Sequence, residues 1–125
     1  MDKNWIRIGG TDFQVIEEPK QFVDEGNSVD GAIRYDKCTI QVWTGCGKDY
    51  ANQTLCHEII HGIIRQFNVP IPEEDNEKIT EALGKGLHQV LKDNKNILFW
   101  KIFQKNKKVF IISWQRHKEC DILQV

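Results

Sequence analysis

From Ala51 to Phe67 the apolar residues follow a helical period: Cys56, Ile59, Ile60, Ile63, Ile64 and Phe67 recur at three- and four-residue intervals. No other feature restricts the fold as much, because a helix with one apolar face needs a core to lie against. Asn68-Val69-Pro70-Ile71-Pro72 ends it: proline donates no ladder hydrogen bond and biases the residue before it away from helical geometry. A second helix starts in the acidic run Glu73-Glu74-Asp75, which suits the positive end of a helix dipole. Its apolar stripe is Ile79, Ala82, Leu83, Leu87, Val90 and Leu91, and it ends near Asp93-Asn94.

The first third of the chain supplies the surface that the first helix needs. Trp5-Ile6-Arg7-Ile8 alternates, Gly9-Gly10-Thr11-Asp12 punctuates and Phe13-Gln14-Val15-Ile16 resumes, as in a hairpin. After the acidic, Gly-containing stretch from Glu17 to Asp30, a second hairpin is expected from Ala32-Ile33-Arg34-Tyr35 and Thr39-Ile40-Gln41-Val42-Trp43, turning at Asp36-Lys37. Thr44 to Tyr50 reads as a loop. The fold class is therefore α+β: a small N-terminal β-sheet followed by two helices.

With 125 residues, 40% of them hydrophobic, the chain suits one compact domain with a core of ordinary size. The net charge of −1 gives no reason to expect nucleic-acid binding. Its distribution is uneven, at −5 over residues 1–96 and +4 over residues 97–125, so the tail reads as a basic extension of the domain formed by residues 1–96. Ile97 to Phe103 and Val109 to Trp114 are a hairpin or a broken amphipathic helix, and the β-formers Val109-Phe110-Ile111-Ile112 favour the hairpin. The N-terminus lacks the continuous apolar core of a secretory signal, and the apolar clusters fall far short of the ~20 residues of a membrane-spanning helix. Cys38, Cys46, Cys56 and Cys120 form no Cys-x-x-Cys pair, which fits reduced thiols. A soluble, cytoplasmic protein is expected.

His57-Glu58-Ile59-Ile60-His61 has the pattern H-E-x-x-H inside the first helix. Positions four apart share a helical face about 6 Å apart along the axis, so both imidazoles reach one metal ion. Zinc takes two such nitrogens readily, and a catalytic site keeps three protein ligands and an open position. Glu58 is then the general base that activates water. The continuation that would add glycine at position 64 and a third histidine at position 67 is absent, since these are Ile64 and Phe67. The next candidates are carboxylates of the second helix.

There, Asn76-Glu77-Lys78-Ile79-Thr80-Glu81 resembles the N-E-x-x-S/T-D pattern of gluzincins, the thermolysin-like metallopeptidases. The run Thr54 to His61 and the extended segment Gly31 to Asp36 are similar to those of minimal ImmA/IrrE-like and phage-encoded metallopeptidases. The resemblance implies a minimal zincin-like fold and one Zn2+ per chain held by His57, His61 and Glu77. It also implies hydrolysis of a protein or peptide substrate, in a phage-encoded enzyme acting in the bacterial host. Glu81 stands where the family has an aspartate supporting a zinc-binding imidazole, and it is also the main rival to Glu77 as a ligand, one turn further on the same face.

His88 lies about 16 Å beyond Glu77 along the helix, too far to share its metal. Cys56 belongs to the apolar stripe, and Cys38 and Cys46 lack a metal-knuckle spacing. Tyr35, Tyr50, His88 and His117 are the candidate donors to a reacting carbonyl. Thr39 to Trp43, read as an edge strand, would pair with an extended peptide. A noncatalytic zinc-containing module is the alternative, using Trp100, Lys101, Lys105, Lys107, Lys108, Trp114 and Arg116 of the tail to bind a partner.

Overall fold

The computed structural model describes residues 4–98. The chain divides into two compact units, the first Met1–His88 and the second beginning at Gln89.

The first unit opens with β1 (Trp5–Ile8) and β2 (Thr11–Glu18), which pair antiparallel around Gly9-Gly10. Gly9 takes φ +61°, a left-handed conformation that glycine adopts without steric cost. β5 (Gly31–Arg34) and β6 (Thr39–Trp43) form the second expected hairpin. β6 also pairs with β2, in parallel, so the mixed sheet has the order β1-β2-β6-β5. Parallel pairing requires a crossover rather than a tight turn, and residues 19–38 provide it. Within that crossover lies a hairpin absent from the sequence reading, β3 (Phe22–Asp24) and β4 (Asn27–Val29). Its two-residue turn, Glu25-Gly26, has φ of 51° and 83°, the double left-handed geometry that matches strand twist.

The sheet order overturns one expectation. Thr39 to Trp43 is an interior strand with neighbours on both sides, and among the described residues the edge on that side is β5. Alternation along β6 buries Ile40 and Val42 on one face, where α1 (Lys48–Gln66) packs. The core joins Ile8, Phe13, Ile40, Val42 and Ala51, flanked by Ile33, Leu55, Ile59 and Ile63. Burying a side chain such as Phe13 or Ile40 contributes about 1.5–3 kcal/mol. Gly62 lets the helix settle onto the sheet, since a Cβ there would lie 2.8 Å from Ile8 Cδ1.

α1 begins earlier than expected: Lys48, Asp49 and Tyr50 are helical and Gly47 is the cap. Phe67, counted in the apolar stripe, is the C-terminal cap and is exposed. A single 3-10 turn (Glu73–Asp75) leads into α2 (Asn76–Asp93). Within the first unit, its packed face is the row Asn76, Thr80, Gly84 rather than the apolar stripe, for Thr80 and Gly84 are buried whereas Leu83 is exposed.

Of the second unit, the described part holds the end of α2 and a short helix, α3 (Lys95–Leu98). Ile97 and Leu98, expected to open a strand, are thus helical; the rest of the expected basic hairpin lies outside the described residues. Among the described residues no helix is long and apolar enough to cross a membrane. Cys38, Cys46 and Cys56 are free thiols, and Cys56 is buried in the helix face as expected.

Candidate metal centre

α1 presents His57 and His61 one turn apart, their rings edge-to-face with centroids 4.8 Å apart. α2 brings Glu77 onto both. One carboxylate oxygen lies 3.0 Å from His57 Nε2 and the other 3.0 Å from His61 Nε2. Ligand atoms of the three residues all fall within 4.8 Å of one another. Donors around a tetrahedral ion with bonds near 2.0–2.1 Å sit about 3.3 Å apart; the two 3.0 Å separations are close to that, and the three residues could hold a metal ion. Burial, with the neighbouring His57 second, lowers the pKa of His61, which favours the neutral imidazole that metals bind.

The two rivals on α2 take different positions. Glu81 Oε1 lies 2.9 Å from the other ring nitrogen of His57, Nδ1, and its second oxygen lies 3.1 Å from Lys85 Nζ. Lys85 is the main reason that Glu81 has a lowered pKa. An acceptor on Nδ1 fixes the proton there and leaves Nε2 free as a donor to an ion. Asn76 adds a side-chain hydrogen bond to His61, a contact that helical spacing alone did not reveal.

Glu58 is 6% exposed, far more buried than a position on the open flank of the helix would suggest. Burial first, then the negative charges of Glu77 and Asp24, raise its pKa to about 8, against a hydrogen bond from the Ile33 backbone N–H. That bond identifies the outer edge of β5. Trp43 N–H donates to Asp30 O at 2.8 Å, and alternation along an antiparallel ladder then turns the N–H and C=O groups of Gly31 and Ile33 away from β6. Gly31 permits the close approach, because a Cβ there would lie 2.5 Å from Thr54 Cγ2 and 3.0 Å from Glu58 Oε2.

Histidine pair, Glu58, Glu77 and the β5 edge all line one open cleft of about 840 Å³. Tyr35 and Tyr50 line it as well, each with its hydroxyl engaged. Tyr35 donates to His61 O at 3.2 Å and Tyr50 donates to Asp30. His88 is held apart from the centre, 3.3 Å from Asp49. His117 lies outside the described residues. The Cys38 Sγ contacts the Tyr35 carbonyl at 3.7 Å, and among the described residues the only metal-ligating group of three or more is His57, His61 and Glu77.

Comparison with protein-family models, with curated proteins and with solved structures finds no match. Two helices bring together three residues that could hold a metal ion, beside a buried carboxyl and a strand that is at the sheet edge among the described residues.

Proposed function

We propose that this protein is a zinc-dependent endopeptidase of the gluzincin type, similar to the minimal ImmA/IrrE-like and phage-encoded metallopeptidases and acting in the cytoplasm on a protein or peptide substrate. The observation that carries this reading is the convergence of His57, His61 and Glu77 beside the buried Glu58 carboxyl in one cleft. Two nitrogens and one carboxylate oxygen form a donor set typical of catalytic zinc, with room for a further ligand. When bound, the ion would supply Lewis acidity to the scissile carbonyl and to the attacking water.

The chain's own residues do the rest. Glu81 holds His57 from Nδ1 and is itself steadied by Lys85. Ile33 N–H orients the Glu58 carboxyl, which accepts a proton from the attacking water and returns it to the leaving amine. The outward groups of Gly31 and the outward carbonyl of Ile33 suit an extended peptide added alongside β5, so the substrate passes the centre on this strand rather than on β6.

Glu58→Gln keeps the shape of the side chain and removes its basicity. Cleavage of a broad peptide library by the zinc-loaded protein should fall at least ~10²-fold in this variant, with zinc retained. Cleavage at the wild-type rate would overturn the assignment of Glu58.

A further inference from the structure

α2 carries Glu77 and Glu81 to the centre and buries Thr80 and Gly84, yet it contributes no residue to the hydrophobic core, which is built from β1, β2, β6 and α1. Something other than the core must therefore set how far α2 stands from the two histidines. Gly84 occupies the closest approach. A Cβ placed on it would lie 2.9 Å from His57 Cα, 3.1 Å from His57 N and 3.4 Å from His57 Cβ. Two of these are backbone atoms of a metal-binding residue, which cannot swing aside as a side-chain tip can. Carbon atoms not bonded to each other rest at about 3.5–4.0 Å, so a methyl group here would push α2 outward by roughly half an ångström or more.

We propose that Gly84 is the positioning residue of the metal centre: by lacking a side chain it lets α2 approach the His57 backbone closely enough for Glu77 to complete the ligand set. This rests on the metal-centre reading above. Glu77 is seven residues before Gly84, about 10 Å along a stiff helix, so a displacement at one is carried to the other. Metal–ligand distances tolerate only about 0.2 Å. The same helix contains an internal comparison, since Gly86 would meet nothing within 4 Å. Both glycines lie in the helix interior, where glycine is a poor helix former, but only Gly84 has a contact that accounts for it.

The test is the zinc dissociation constant of the full chain, measured by chelator competition for wild type, Gly84→Ala, Gly86→Ala, Glu77→Ala and the double variant Gly84→Ala/Glu77→Ala. Far-UV circular dichroism of each metal-free protein reports folding. Gly84→Ala should remain folded and weaken zinc binding 10- to 100-fold, the range typical of residues that support a ligand, while Gly86→Ala stays within about twofold of wild type. In the Glu77→Ala background the Gly84 substitution should add less than about twofold, because its route to the metal has been removed. Unchanged affinity in a folded Gly84→Ala protein, effects that multiply in the double variant, or loss of the fold would each overturn the proposal. Failure of wild type and Gly86→Ala to bind zinc would instead overturn the metal-centre reading, and this inference with it.

Discussion

Tyr35 and Tyr50, the chain's two tyrosines, are both placed to resist ionisation. The hydrogen bond to Asp30, followed by burial, pushes the Tyr50 hydroxyl up to about 12, and burial raises that of Tyr35 despite the nearby Arg65 guanidinium. A group with a raised folded-state pKa stabilises the fold below its unfolded value, here about 10, and that contribution is lost as the pH climbs through the folded value. Absorbance at 295 nm should therefore show less tyrosinate at pH 10 in the native protein than in the unfolded chain, with that of Tyr50 appearing nearer pH 12. A full tyrosinate signal with a midpoint at 10 in the folded state would contradict the contacts described for both hydroxyls. The His57–His61 pair was legible in advance from its helical spacing, whereas Glu77 was reached only through the resemblance to gluzincins. The division of labour between Glu77 and Glu81 was not legible, because it depends on which ring nitrogen each carboxylate meets. Gly31 and Gly84 gave a weak signal, as glycines inside a strand and a helix, without indicating what approached them.

At the scale of elements, local period gave most of the strands and both long helices, since alternation and the 3.6-residue stripe are properties of neighbouring residues. Strand order is not. The Thr39–Trp43 segment alternates well whether it lies at an edge or in the middle, and only its parallel pairing with β2 makes it interior. The β3–β4 hairpin escaped notice because its strands are three residues each, too short for a period, although Glu25-Gly26 was available as a turn signal. The corrected order has a measurable consequence. Proline is tolerated on an outward-facing edge position and not in the middle of a sheet. Ile33→Pro removes the N–H that orients the Glu58 carboxyl, so it should leave the chain folded while lowering peptide cleavage by the zinc-loaded protein at least tenfold. Ile40→Pro, on the other hand, should unfold it, at a cost of about 3 kcal/mol or more. Circular dichroism and a peptide-cleavage assay check the pair. A folded Ile33→Pro protein that cleaves peptide at the wild-type rate would remove the Ile33 N–H as the support of Glu58.

For the whole molecule, the first unit is an α+β assembly in which the sheet and α1 make the hydrophobic core, and α2 meets α1 at Gly84 as well as through the residues that would hold the ion. A metal bridging α1 and α2 would act as a cross-link in the folded state, and saturating it at about a hundred times its dissociation constant would stabilise that state by ~2.7 kcal/mol. Among the described residues no helix is long and apolar enough to cross a membrane, and composition and net charge are silent on metal and substrate. The central claim is the three-residue metal centre, and the most direct test is elemental analysis of the purified chain after reconstitution and removal of excess zinc, alongside His57→Ala, His61→Ala and Glu77→Ala. The expected result is one zinc per chain in the wild type and a marked loss in each variant. A wild-type protein that retains no zinc, or variants that hold it as well as the wild type, would contradict the account.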